Sequence, residues 1–430
     1  MSFFISLSTD LKREIALYLS DEELNKIIVN FLQDEDDVFW KMRLSDTYYL
    51  SNKKVCTIIQ RILKSSFLRD IITYGLVGQY MVSQEWDYNI IGSILHGSYI
   101  SYLPENLNVR DKNSKTMLMF LSSQCRDFHA AKRYIDELIK AGADVNLQYK
   151  NGTTALMMAV QFTKAYSSEE IVKSLINGGA DVNIQDKSGL TALMLAARFS
   201  NTISTNATVK MLIDAGADMN LQTHDANWTA LMYATRYSDT ESSNETAKML
   251  IEAGAVVNKV DKNGNIAVII AAYHTKTGSN DDTIKMLLDA GSNVNHINYG
   301  GFNIISFLTS GIGGGTSSES TLDLVLTYKP DVNIVHPSGK TNLIYCIGTS
   351  LNCSIIIKLI QAGADVNTFS HNMTPLMYAI QNSTSEDIIK LLTHPNIDVS
   401  IKNNDGDTAY DLSVKKYGPN HPVSRMLKSY

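Results

Sequence analysis

The chain has 430 residues, 44% hydrophobic and 19% charged, with a formal net charge of -6. That length exceeds one ordinary core and predicts several domains or an array that grows by addition, while the apolar content excludes a disordered chain. The acidic balance argues against nucleic-acid binding through a general basic field, four scattered cysteines exclude a disulfide framework or a CxxC zinc site, and no run of 18 apolar residues marks a membrane span.

Residues 1–50 carry ten acidic and five basic side chains, which leaves the remaining 380 at -1 and sets this segment apart. Leu7, Leu11, Ile15, Leu19 and Leu24 recur at helical intervals, and Trp40 comes after the acidic run Asp34-Glu35-Asp36-Asp37, which reads as a solvated turn. Over residues 51–107, Ile58, Ile62, Phe67, Ile71 and Leu76 predict helices that bridge the N-terminal segment to the rest of the chain, or diverged repeats. The start of the chain shows no basic leader before its short apolar stretch, so the expectation is a soluble protein of a reducing, cytoplasmic setting, with the nucleus also open.

From residue 108 onward the chain repeats itself. The phrase Gly-Ala-Asp-Val-Asn or a variant ends at Asn108, Asn146, Asn183, Asn220, Asn258, Asn295, Asn333 and Asn367, with Ser400 in the same place, at spacings of 38, 37, 37, 38, 37, 38, 34 and 33 residues. A second marker stands eight residues on in most copies, at Thr116, Thr154, Thr191, Thr229, Thr341, Thr374 and Thr408, with Ile266 and Asn303 in the fifth and sixth units. Two markers in phase over nine units predict a repeat architecture.

Within one unit, Asp186-Lys187-Ser188-Gly189 supplies turn chemistry, and Thr191 precedes an alanine-rich apolar helix through Ala192-Leu193-Met194-Leu195-Ala196-Ala197. Polar residues 200–206 break the pattern, Val209, Leu212 and Ile213 predict a second amphipathic helix, and Gly216 ends it. A turn and two short helices cannot bury their apolar faces alone, so the units must stack. The expected fold is all-α: a solenoid of helix–turn–helix units joined by β-turn loops over 108–412, an N-terminal helical domain, and a cap over 413–430 built on Ser424–Tyr430.

These residues resemble the ankyrin repeat, most closely in Asp186–Leu193 and in Gly363-Ala364-Asp365-Val366-Asn367. Three departures stand out. Met157, Met194, Met232 and Met377 replace the family histidine, which forfeits its polar link; Ala155, Ala192 and Ala230 replace a proline kept only as Pro375; and most units carry about four extra residues between their helices, as in Tyr237–Asn244, so these loops are expected to project further. The N-terminal residues Leu7, Asp10-Leu11, Ile15, Tyr18-Leu19, Leu24 and Trp40–Leu44 resemble an F-box, with Ser8 in place of its proline and a short interval from Leu24 to Trp40. That resemblance implies docking on a Skp1-like adaptor of a cullin-RING ubiquitin ligase, with the repeats choosing the protein to be ubiquitinated; a plain helical cap over the first repeat is the alternative. F-box-like and ankyrin segments occur together in proteins of large DNA viruses, whose Asn/Ile/Lys-rich composition is similar, and the setting implied is host cytoplasm.

The ankyrin resemblance implies a monomeric, non-enzymatic scaffold that holds a protein partner on a concave face, needs no cofactor or metal, and meets neither nucleic acid nor membrane. Family contact positions carried across unit by unit are Lys150, Asn151, Gln161 and Phe162; Lys187, Leu190, Arg198 and Phe199; His224, Trp228, Arg236 and Tyr237; and Lys262, Asn263, Tyr273 and His274. Phe162, Phe199, Tyr237 and His274 each stand eight residues after their unit's marker, so stacking is expected to align them in a ladder, either as partner contacts or as a continuation of the packed helix face. Nine histidines without recurring cysteine or carboxylate partners argue against catalysis, and Gly311–Ser317 lacks the lysine of a phosphate loop and reads as a flexible insertion.

Overall fold

The computed structural model describes residues 107–108, 110, 114–124, 128–161, 163–164, 167–275, 279–309, 319–348, 353–382 and 385–430. Leu7, Leu11, Ile15, Leu19, Leu24, Trp40, Phe162 and the glycine-rich stretch 311–317 lie outside them. The described residues contain 18 α-helices and no sheet strand, only isolated antiparallel bridges such as Gln148 with Thr154. Most belong to one of two compact units, Leu118–Lys140 with Asp144–Tyr430; the other reaches Met117 and takes in Ala141–Ala143.

The helices alternate in chain order. First helices of successive repeats are α1 (Met117–Gln124), α3 (Ala155–Gln161), α5 (Ala192–Phe199), α7 (Ala230–Arg236), α9 (Ala267–Tyr273), α11 (Ile304–Thr309), α13 (Asn342–Gly348), α15 (Pro375–Gln381) and α17 (Ala409–Tyr417). Second helices are α2 (Phe128–Lys140), α4 (Glu169–Asn177), α6 (Asn206–Asp214), α8 (Asn244–Glu252), α10 (Asp281–Asp289), α12 (Glu319–Leu326), α14 (Cys353–Gln361), α16 (Glu386–Leu392) and α18 (Pro422–Lys428). From α3 to α17 each first helix packs on the next first helix, and from α2 to α16 each second helix packs on the next second helix, so the stack has two layers.

Local chemistry sets each helix. The hydroxyls of Thr154, Thr191, Thr229 and Thr374 accept from the backbone N–H three residues on, satisfying a donor that has no partner inside the helix. The donating N–H groups belong to Met157, Met194, Met232 and Met377, whose thioether side chains are buried, so the histidine's place is filled by apolar packing. Ala192 and Ala230 open their helices after an extended threonine just as Pro375 does, which makes the threonine and not the proline the common device. Ala159, Ala196, Ala234, Ala271 and Ala379 are fully buried in one phase of the first helices, where a methyl group lets neighbouring helices close up. Most second helices stop at a left-handed glycine, as at Gly216 with φ 85°.

The asparagine marker joins one unit to the next. Asn146 donates its Nδ2 to Gly179 O at 3.0 Å and accepts at Oδ1 from Asp181 N at 2.7 Å. Asn183 repeats both bonds with Gly216 and Asp218, Asn258 with Gly291 and Asn293, Asn333 with Gly363 and Asp365, and Asn367 with Asn396 and Asp398. The turns between units form fingers that are tied the same way, with Lys187 N donating to Asn151 O, His224 N to Ser188 O, Lys262 N to Ala226 O and Tyr299 N to Asn263 O, each at about 3.0 Å or less.

The extra residues between the helices do not simply extend outward. Ser200, Ser204, Ser238, Ser242 and Ser279 are buried, and the loops bond to one another through Lys164 N to Ile203 O and Asn201 N to Glu241 O. Ser242 Oγ donates to Ala197 O at 2.6 Å, while the buried Thr246 hydroxyl lies 2.6 Å from Ser200 Oγ and 2.9 Å from Asn206 Oδ1. One unit on, Thr283 Oγ1 lies 2.8 Å from Ser238 Oγ and 2.6 Å from Asn244 Oδ1. A hydroxyl chain across repeats therefore occupies space that an apolar core would otherwise fill. Thr246→Val keeps the shape but removes the donor, and is expected to lower unfolding free energy by about 1–3 kcal/mol in urea titration; the exposed Thr202→Val in the preceding loop is expected to change it by less than about 0.5 kcal/mol.

Candidate partner-binding face

The first helices and the fingers make one face, and its side chains are arranged by the repeat. Arg198 lies in the last turn of α5 and Arg236 ends α7, so stacking brings each beside the rings of its own and the neighbouring unit. The Arg198 guanidinium lies 4.7 Å from the Phe199 ring centre and 5.0 Å from that of Tyr237. Arg236 lies 5.4 Å from Trp228 and 5.2 Å from Tyr237. Tyr237 is thus held between two arginines, a cation–π arrangement in which both charges face ring electron density.

The two arginines differ in what balances their charge. Arg198 Nε meets Glu241 Oε2 at 3.1 Å. Arg236 Nη1 instead lies 3.0 Å from His274 Nε2, and no ion pair with Arg236 occurs among the described residues. A guanidinium only donates, so His274 Nε2 accepts and the imidazole is neutral. Burial first, and the Arg236 charge second, lower the His274 pKa from 6.5 to about 4.

Beyond His274 the rings continue along the stack. Tyr273 stands edge-on to His274 at 4.8 Å and to Phe307 at 5.8 Å, and Phe307 meets Phe302 at 5.9 Å. Phe302 meets His336 at 5.0 Å, and His336 meets Tyr345 at 4.7 Å. Lys340 closes the series, 2.6 Å from Tyr378 Oη and 5.7 Å from the Tyr345 ring centre. Such T-shaped and tilted pairs suit the positive edge and negative face of aromatic rings.

Of the residues expected from sequence, Arg198, Phe199, Arg236, Tyr237, Tyr273 and His274 are brought into this series, while Phe162 lies outside the described residues. Lys150, Lys187 and Lys262 sit exposed at the finger tips of the second, third and fifth units. Sequence reasoning missed Tyr233, whose ring meets Trp228 at 5.1 Å, with Phe307, Tyr345 and Tyr378, all four residues after their unit's marker, and Lys340, one residue before it. Their common phase was a usable signal. It was hidden because units two, three and five hold Met158, Leu195 and Ile270 there.

The second helices carry a different surface. Their cations pair with their own acids, as in Lys132–Asp136, Lys210–Asp214, Lys248–Glu252 and Lys285–Asp289. These exposed pairs add little stability. Among the described residues no group of His, Cys, Asp and Glu is placed to hold a metal, and Cys346, buried where most units have alanine, has its thiol pushed up to about 12 by burial.

Because His274 stays neutral in the folded chain down to about pH 4, the unfolded chain binds its proton first as pH falls. The His274 contribution to stability is expected to drop between about pH 6.5 and about pH 4 and to level off below. His336, whose pKa burial also lowers, acts in the same direction. Urea midpoints measured across that range should show a shallower pH slope for His274→Gln than for the parent; equal slopes would remove this role for His274.

A family model described as ankyrin repeats (3 copies) matches residues 128–223, 162–261, 202–298 and 315–403. No curated protein matches the chain. No helix among the described residues is long and apolar enough to cross a membrane. The asparagine bonds, the finger ladder, the threonine-capped first helices and this match over more than half of the sequence lead to one conclusion: the chain belongs to the ankyrin-repeat family.

Proposed function

We propose that the partner of this interaction scaffold lies along the face made by the first helices and fingers, against Phe199, Tyr237 and Tyr273 and the cations beside them. The observation that carries this reading is the succession of ring–ring and cation–ring contacts from the third unit through the eighth, with the Arg236–His274 hydrogen bond joining the fourth unit to the fifth, mostly on half-buried or exposed side chains. Arginine and large aromatic residues dominate binding energy at protein interfaces because they present much surface with few torsions to freeze. The work proposed is binding and not catalysis. Proximity labelling in transfected cells should mark a set of proteins that is lost with Tyr237→Ala and retained with Lys210→Ala on the opposite layer, both variants keeping the parent's helical circular dichroism. Equal labelling by both would contradict the reading.

The finer role proposed is that of substrate-recognition adaptor in a cullin-RING ubiquitin ligase, on a division into an F-box-like segment 1–50, a bridge 51–107, repeats 108–412 and a cap 413–430. Its support is the F-box-like pattern of Leu7, Leu11, Ile15, Leu19, Leu24 and Trp40. A cytoplasmic, host-cell setting belongs to the same proposal and suits the buried thiol of Cys346. Full-length protein should co-precipitate a Skp1-like adaptor, and deletion of residues 1–50 should abolish it. Failure of the full-length chain to recover the adaptor favours the stand-alone scaffold, whose N-terminal helices act only as a cap.

A further inference from the structure

The two helix layers differ in charge. Eight of the nine first helices contain no aspartate or glutamate, and the ninth holds only Asp411, whose carboxylate is engaged in a capping box with Thr408. The second helices hold acids in most units, including Glu169, Glu170, Glu245, Asp281, Asp282 and Glu386. On the first-helix face, Asp186 and Asp261 are turned into their own finger backbones, and Glu241 is taken up by Arg198. Asp225 and Asp239 are exposed acids of the unit that carries Arg236, one at its finger tip and one in the loop after Tyr237. Against these stand Arg236 and Lys340, neither of which has a carboxylate partner among the described residues.

Both cations are pre-positioned. Arg236 is packed by Trp228 and Tyr237 and bonded to a neutral imidazole, and Lys340 is packed by Tyr345 and Tyr378. Rings leave the positive charge without a counter-charge, and fixing the side chain in advance reduces the ordering cost when an anion arrives. Between them lies an apolar stretch made by Tyr273 and Phe307, with Tyr273 40% exposed.

We infer that the occupant of this face is an extended, acidic protein segment, with one carboxylate side chain on Arg236, a second on Lys340, and apolar residues between them on Tyr273 and Phe307. This rests on the face being the binding surface and adds what it binds. The cations are three units apart, which at the 8–10 Å spacing of packed helices is roughly 24–30 Å. An extended chain rising about 3.3 Å per residue covers that in roughly 7–9 residues. The anions are assigned to protein carboxylates and not to a nucleic-acid backbone because the whole chain is negative, at -6, and its second-helix layer would repel a polyanion.

The test is a displayed library of random 14-residue peptides selected on the full chain, with the affinity of the selected peptides then measured by fluorescence anisotropy. Enrichment of Asp and Glu at two positions about 8 residues apart, a roughly tenfold loss of affinity in each of Arg236→Gln and Lys340→Gln, and partial recovery in Arg236→Lys are expected. Circular dichroism and thermal melting confirm that the variants fold. Selected peptides without acidic enrichment, affinities unchanged within about twofold in both variants, or no selected peptide at all would overturn the inference. So would tighter binding of a fluorescent 14-nucleotide polyuridylate than of the best peptide. Non-acidic peptides that still lose affinity with Tyr237→Ala overturn only the acidic character, whereas peptides indifferent to Tyr237→Ala also remove the face itself.

Discussion

The structure depends on a side chain that serves its neighbour more than its own unit. An asparagine closing one repeat accepts from and donates to the backbone of the next, as Asn183 does with Asp218 N and Gly216 O. Two helices of seven to nine residues cannot bury their apolar stripes alone. Apolar burial between units therefore supplies the driving force. The asparagine bonds and finger bonds set the register in which that burial occurs, because hydrogen bonds are directional where apolar contact is not.

Fixed register has chemical consequences on the first-helix face. Residues separated by 38 or 39 positions become neighbours, so Arg198 reaches Tyr237 and Arg236 reaches His274. A slip of one residue in a finger would break the pairs across that junction. The same register lines up buried serines and threonines of the interhelical loops, where Ser242, Thr246 and Thr283 find partners from the adjoining unit instead of water. Charge obeys the layers too: acids gather on the second helices, beside lysines spaced one turn away, and are scarce where rings and arginines gather.

Much of this was legible in the sequence because the repeat is a geometric statement. The phase of Asn146 to Asn367 and Thr154 to Thr408 marks where one unit ends and where its first helix begins, and most of these markers make the same bond in unit after unit. Arg198, Arg236 and the aromatic residue after each were legible for the same reason. Other features were not. Lys340 and Tyr378 meet only through stacking, and neither departs from an ordinary surface residue when read alone. The loops were read as projecting because Ser, Thr and Asn favour turns, yet a hydroxyl is small enough to be buried once a neighbouring repeat offers an acceptor. The neutral state of His274 comes first from its burial in the stack and second from an arginine 38 residues away, both beyond any local reading.

The claim that units are held by their neighbours is tested most directly by amide hydrogen exchange of the full chain with Asn183→Ala. Protection is expected to fall together in α3 and α4 of the second unit and in α5 and α6 of the third, on both sides of the junction that Asn183 bridges, while α13 through α17 keep theirs. Protection lost around residue 183 alone, with Gly216, Asp218 and the helices on either side of the junction unaffected, would contradict the claim.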